Sequence, residues 1–206
     1  RAIIFGHGGH AAVLRGFIQS RYAGSIEYAV DEPGQPDELA IAAILAEPER
    51  FADRDLYLGV GNNRVRRRWF EQLDQVGLTP ATLIAPHTYI ADDAEIAAGA
   101  QICVGAVINA RARIGRNVII NTMASVDHDC VIGDHAQLTP GVILGGVTHI
   151  GESCYFGVRS CTIHCVTIGA RSFAMAGAVI AKDVPEGVVV GGCPARVIRP
   201  VGADEL

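Results

Sequence analysis

From Ile84 onward the chain places an apolar residue at every sixth position. The series is Ile84, Ile90, Ile96, Ile102, Ile108, Ile114, Ile120, Val126, Ile132, Leu138, Leu144, Ile150, Phe156, Thr162, Ile168, Ala174 and Ile180, with no insertion, and only Thr162 and Ala174 are not large and apolar. Four residues after each member stands a small one, from Thr88 and Ala94 through Cys130 and Cys154 to Val184, always Ala, Val, Thr, Ser or Cys. A period of six matches neither a helix of 3.6 residues per turn nor the simple alternation of a strand. It predicts a solenoid of short strands joined by tight corners, a hexapeptide β-helix. The large residue fills the coil interior and the small one occupies a cramped position beside a corner. With three hexads per coil, a residue and its counterpart three hexads later stack on neighbouring coils. Cys130 and Cys154 sit in the small slot and read as packing residues.

The first eighty residues lack this period. Ala2 to Phe5 reads as a strand, followed by a glycine-rich turn and a helical stretch to about Tyr22. Ile26 to Val30 is a second strand, ending at Asp31 and Glu32, and Pro33 to Pro36 is a turn. Ile41 to Leu45 reads as helical. Leu56 to Val60 is a third strand, followed by Gly61-Asn62-Asn63 and a helix from about Arg64 to Val76. Strands alternating with helices predict a small Rossmann-like α/β unit with three parallel strands. The boundary falls near Gly77-Leu78-Thr79-Pro80, giving an α/β domain over 1–80 and a β-helix over 81–200 with a short C-terminal tail.

Composition sharpens this reading. Among 206 residues, 50% are hydrophobic and 19% charged, which excludes disorder. Only 6% are aromatic, beside 24 glycines, as a narrow prism lined by aliphatic and small side chains requires. Seventeen basic against 22 acidic side chains, a net charge of −5, argue against a nucleic-acid binder. No apolar run approaches the roughly 18 residues of a membrane span. Arg1 leads straight into a short apolar strand, so a trimmed start, no secretory leader and a cytoplasmic location are expected, with the six cysteines reduced. Cys161-Thr162-Ile163-His164-Cys165 lacks a second ligand pair, and no metal is expected.

Two segments carry chemistry. Gly6-His7-Gly8-Gly9-His10-Ala11 fits G-x-G-x-x-A between a strand and a helix, with Asp31 at the end of the next strand. Such glycines let a phosphate approach backbone N–H groups at a helix N-terminus. Three strands make only half of a dinucleotide fold, so a nucleotide or nucleotide sugar fits better than NAD. Gly61, after the third strand, falls on the same edge of the sheet. In the solenoid, Asp127-His128-Asp129 places an imidazole between carboxylates, the arrangement of a general base. One coil onward from His128 is Gly146, a bare backbone whose N–H could hold an oxyanion. His164 lies two coils from His128 and reads as surface or ligand-lining. His135 and His149 read as solvated or interfacial, His87 as structural, and Arg64 with Arg66, Arg67 and Arg68 as a solvated helix face.

These residues resemble the NeuD/PglD-like acyltransferases, bacterial enzymes that acetylate nucleotide-linked amino sugars or sialic acid. The likeness rests on Gly8-Gly9-His10, Asp31-Glu32 and Val60-Gly61-Asn62-Asn63 after successive strands, on Ile120-Asn121-Thr122 and Val126-Asp127-His128-Asp129-Cys130, and on the closing Gly192-Cys193-Pro194-Ala195-Arg196. The resemblance implies a left-handed parallel β-helix, a homotrimer with active sites between neighbouring prisms, and acetyl-CoA as co-substrate in the groove between subunits. By position it makes His128 the general base, Asp129 its partner and Gly146 the oxyanion donor. Gly8, Gly9, His10, Asp31, Glu32 and Gly61 match nucleotide-sugar-binding positions. Gly146, Val158 and Ala176 match positions lining the acetyl-CoA site. The family often has a second histidine, a cofactor contact, where this chain has Gln137; glutamine keeps the hydrogen bond but cannot titrate near neutrality, and His135 could partly substitute. The implied reaction is N-acetylation of the 4-amino group of a nucleotide-linked 4-amino-4,6-dideoxy sugar, UDP-linked by preference, in bacterial glycan biosynthesis. Alternatives are O-acetylation of sialic acid, a GDP- or dTDP-linked acceptor, an NAD-dependent oxidoreductase, and a non-catalytic trimeric assembly module.

Overall fold

A computed structural model describes residues 1–22, 26–202 and 205–206. The chain separates into two units, Arg1–Thr82 and Leu83–Leu206.

The first unit is a parallel sheet of β1 (Ala2–Phe5), β2 (Ile26–Val30), β3 (Glu38–Ala40) and β4 (Asp55–Leu58), in the order β3-β2-β1-β4. Among the described residues three α-helices accompany it, α1 (Gly9–Tyr22), α2 (Ile41–Ala46) and α3 (Asn63–Gln75), with a single 3-10 turn at Pro48–Arg50. Strand β1 is central and wholly buried, as four consecutive apolar residues require of a strand covered on both faces. Ile3, Phe5, Leu56, Leu58, Trp69, Phe70 and Leu73 share one core. The side chain of Asn62 caps α3, accepting from the Val65 N–H at 3.0 Å.

The sheet has four strands among the described residues, not three. The additional one, β3, is a three-residue edge strand with too few positions to display a period. Strand β4 ends at Leu58 rather than Val60, because the Gly59 N–H makes the last sheet bond, to Phe5 O at 2.8 Å, and the chain then turns toward α3. The arginine-rich start of α3 is not one solvated face. Helical periodicity aligns Arg66 with Asn63, Trp69, Phe70 and Leu73, and Arg66 is fully buried.

The second unit is a left-handed parallel β-helix. Seventeen two-residue strands run from Leu83–Ile84 to Val179–Ile180, followed by Val188–Gly192 and Ala195–Pro200, which pair antiparallel. They form three sheets of eight, six and five strands, the faces of a prism. Partners lie one coil apart, as in Ile119↔Gln137 and Ile120↔Leu138. The hexad residue is the inward one, so Ile102, Ile108, Ile120 and Leu138 are fully buried, each stabilising the coil by roughly 1.5–3 kcal/mol. The small residues Ala100, Ala106, Ala112 and Ala124 close the interior at the corners. Ile84, at the start of the first coil, is 55% exposed, because the prism ends there. After Ile180 the spacing tightens, and Phe173 pairs Val189. No helix among the described residues is long and apolar enough to cross a membrane.

Candidate functional site

In the solenoid, His128 follows the strand Ser125–Val126 and stands at the corner leaving the six-stranded sheet. The corner turns tightly, with Asp129 at a φ of +58°. The His128 N–H donates to Asp127 Oδ1 at 2.7 Å, and Asn109 Nδ2 on the preceding coil donates to the same oxygen at 3.1 Å. These bonds fix the backbone from which the imidazole projects. Its Nδ1 lies 2.8 Å from Asp129 Oδ2. An ionised carboxylate can only accept, so Nδ1 carries the proton and Nε2 is left bare. The ring is about half exposed.

Arg111, one coil before Asp129, donates from Nε and Nη2 to its two carboxylate oxygens at 2.6 and 2.8 Å. This bidentate guanidinium, with His128 as the lesser cause, holds the Asp129 carboxyl well below the usual carboxylate range. The Arg111 backbone N–H in turn donates to Asp93 Oδ1 at 3.2 Å. A cavity of about 260 Å³ opens beside this chain, lined by Asp93, Glu95, Arg111, Arg113, Asp129 and His149 among others.

Gly146 lies on the next coil, as the stacking rule expects. A Cβ placed on it would stand 2.6 Å from His128 Nε2 and 2.7 Å from Cε1, so a side chain here would push the imidazole away from this backbone. The Gly146 N–H makes no hydrogen bond among the described residues. Val147, which follows, has a φ of +60°, a strained value for a β-branched residue. The bare Nε2 and the unbonded Gly146 N–H stand at one corner, groups chemically able to act as a general base and an oxyanion donor.

The other expected acyl-donor positions lie elsewhere. Val158 and Ala176 are exposed and stack on each other, the Gly177 N–H bonding Val158 O at 2.9 Å. They follow strands of the eight-stranded sheet, so the chain holds them at a different edge of the prism from His128 and Gly146. Gln137 is buried within the strand Gln137–Leu138 of that same sheet. His135 corrects its expectation of a solvated side chain. It is buried, with Nδ1 2.9 Å from Asn117 Nδ2 on the preceding coil, because its corner turns it back over that coil. His164 is exposed at the His128 edge, two coils on. Among the described residues no cluster of three metal-ligating side chains occurs.

In the first unit, the expected nucleotide residues gather at the carboxyl ends of the parallel strands, where α/β sheets bind ligands. Gly8 and Gly9 follow β1, Asp31 and Glu32 follow β2, and Gly61 follows β4. Gly8, Gly9 and Gly61 face open space. Gly6, at a φ of +92° with Val60 Cγ2 2.9 Å from where its Cβ would stand, makes the turn possible. His10 sits half-buried in the first turn of α1. Asp31 joins Arg68, Trp69, Gln72 and Ile41 around a cavity of about 270 Å³. Arg66 donates to Val60 O at 3.4 Å and to Asn63 Oδ1 at 2.9 Å, bracing the Gly61 loop from below, and burial pushes its guanidinium down to about 9.

Two neighbours were not foreseen. His7 stacks on Tyr28 with ring centroids 4.2 Å apart, and its Nδ1 lies 2.7 Å from Glu38 Oε1. Glu38 also accepts the Gly34 and Gln35 N–H groups, and these bonds, with His7, lower its carboxyl. Glu38 lies on β3, the strand the sequence pattern did not reveal.

A family model described as the PglD N-terminal domain matches residues 1–73. A histidine-to-asparagine mutant of perosamine N-acetyltransferase from Caulobacter crescentus, in complex with CoA and GDP-perosamine, is 29% identical, with a TM-score of 0.88 over 96% of each chain. The acetyltransferase domain of PglB from Neisseria gonorrhoeae FA1090, also solved in complex with acetyl coenzyme A, is 32% identical, with a TM-score of 0.86 over 96% of this chain and 98% of that one. Serine acetyltransferase 2 of Arabidopsis thaliana is 33% identical over 102 residues, 45% of this chain and 32% of its own length. This chain spans about a third of the length of the curated relatives it matches.

Proposed function

The chain belongs to the NeuD/PglD-like family of sugar acyltransferases, and from that premise we propose that it transfers the acetyl group of acetyl-CoA to the 4-amino group of a nucleotide-linked 4-amino-4,6-dideoxy sugar. The observation that carries this reading is the His128 corner, where Asp129 fixes the ring proton on Nδ1 and leaves Nε2 against the glycine backbone. The N-terminal unit holds the nucleotide through the Gly8-Gly9 turn, His10, Asp31, Glu32 and Gly61, and the solenoid holds the acyl donor.

His128 Nε2 takes a proton from the attacking amine as its nitrogen forms a bond to the acyl carbon. The Gly146 N–H donates to the oxygen on which negative charge develops. As the C–S bond breaks, the proton held on Nε2 is released to the departing thiolate. Asp129 keeps the ring in one tautomer and stabilises the imidazolium, and Arg111 keeps Asp129 ionised. No cysteine acts as nucleophile. The residues fit the donor, because a bare glycine backbone beside a base accommodates a carbonyl that a side chain would displace.

The separation of His128 and Gly146 from Val158 and Ala176, at different edges of one prism, supports a site completed by a second copy in a homotrimer. UDP is the first nucleotide expected, while GDP-perosamine in a neighbour at 29% identity supports a GDP-linked acceptor as the second reading. Thiol release from acetyl-CoA, measured over UDP-, GDP- and dTDP-linked 4-amino sugars and free sialic acid, tests the proposal. It stands if a nucleotide-linked amine gives release that depends on His128. It fails if only sialic acid, or no acceptor, gives release.

A further inference from the structure

Thr162 interrupts the apolar series in the prism interior, and the reaction described above gives it no role. Its surroundings supply one. Thr162 and Thr148 are both buried, and their Oγ1 atoms are 3.1 Å apart. The Gly145 N–H donates to Thr162 Oγ1 at 3.1 Å, and Thr148 Oγ1 donates to Gly145 O at 2.6 Å. With the Thr162 hydroxyl donating to Thr148, the bonds close a ring that begins and ends on the amide and carbonyl of Gly145. The Cys130 thiol donates to the same carbonyl at 3.3 Å.

The ring fixes a direction. Carbonyl and N–H point oppositely across a trans peptide. Holding Gly145 O toward the interior therefore turns the Gly146 N–H outward. Several other corners of the prism reach this state with backbone alone, the Ala106 N–H closing on Cys103 O at 3.1 Å and the Ala124 N–H on Asn121 O at 3.0 Å. Among the described residues the Thr148 N–H makes no such bond to Gly145 O. This corner is held by hydroxyls instead, in an interior whose other hexad residues are aliphatic or aromatic. Two adjacent glycines leave the peptide free to rotate, and a buried polar pair costs free energy unless its bonds are made. Side-chain bonds here hold a peptide that the backbone leaves loose.

We propose that the buried hydroxyls of Thr148 and Thr162 are positioning groups that lock the Gly145–Gly146 peptide so that the Gly146 N–H faces the acyl oxygen in the transition state. This role rests on the acetyl-transfer reading of the His128 corner. It adds residues that touch neither substrate, and it accounts for the polar break in the repeat.

The test compares kcat, KM for acetyl-CoA and thermal melting across single variants. Thr162→Val keeps the side-chain shape and removes the hydroxyl. Its kcat should fall at least about tenfold, as misaligning an oxyanion donor does, with KM for acetyl-CoA within about twofold. Thr162→Ser should restore most of the turnover. Ser172→Ala removes another buried hydroxyl, bonded to Pro185 O at 2.7 Å at a different corner, and should leave kcat unchanged. If Thr162→Val does not fold, Thr148→Val decides the question by the same measures. A folded valine variant with kcat within about twofold of wild type overturns the proposal, as does an equal loss in Ser172→Ala. His128→Ala separates the levels. Turnover surviving in that variant removes the acetyl-transfer reading itself, whereas its loss beside a normal Thr162→Val enzyme removes only the positioning role.

Discussion

The base role proposed for His128 requires a bare outer nitrogen, and that depends on Asp129 and, behind it, Arg111. Asp129 is depressed chiefly by Arg111 and secondarily by His128. A carboxyl whose folded-state value lies below its unfolded value, near about 3.9, contributes stability above that value and loses it only as pH falls through the lower folded one. Asp129 therefore stays ionised through the mildly acidic range. Glu95, Arg113 and His149 line the same cavity, and Asp93 and Asp127 complete the charges around the pair. Replacing Arg111 with glutamine removes the larger cause of that depression, so Asp129 should protonate, and activity fall, at a higher pH on acidification. A pH–rate profile checks this, and an unmoved acid limb would show that Arg111 does not hold the Asp129 carboxylate. Gly146→Ala drives a Cβ into His128 Nε2 and should lower turnover at least about a hundredfold by displacing ring and donor together. Steady-state kinetics with near-normal turnover would contradict that geometry. His128 and Gly146 were legible because stacking can be counted along the chain. Counting one coil back from Asp129 reaches Arg111 equally well, and that backward step is the signal through which it could have been found.

At the scale of elements, the solenoid was readable because one steric rule repeats in every hexad, so each coil restates the pattern. The same rule makes certain glycines structural. A Cβ on Gly133 would stand 2.6 Å from the Glu152 backbone nitrogen on the next coil, where no flexible atom can yield. Gly133→Ala should destabilise the solenoid by roughly 1–3 kcal/mol and lower Tm by several degrees. Thermal melting checks this, and an unchanged Tm would mean that the coils can spread. The α/β unit was legible only in its long elements. Strand β3 has three residues and takes its place through pairing with β2, such as Ala29↔Leu39, rather than through local pattern. Missing it hid Glu38 and its bond to His7. Arg66 misled for the opposite reason, since charge suggests solvent whereas its helical phase points it inward, where Asn63 and the Val60 carbonyl receive it.

At the scale of the whole molecule, the proposed reaction assigns one substrate to each unit, and the proposed trimer supplies what one prism lacks. If His128 of one copy works with Val158 and Ala176 of the next, two inactive variants should complement each other. Co-expressing His128→Ala with Val158→Trp should return activity at about a quarter of the sites, since each intact site needs one particular subunit on each side. Activity assays of the mixed and separate preparations check this, and no recovery in a mixed trimer would place the whole site on one prism. The proposed reaction stands on His128 driving acetyl transfer to a nucleotide-linked amine. The most direct measurement is thiol release from acetyl-CoA with a UDP- or GDP-linked 4-amino sugar, comparing wild type with His128→Ala. Release should fall at least about a hundredfold in the variant while acetyl-CoA binding persists. Equal release from both proteins would contradict the account.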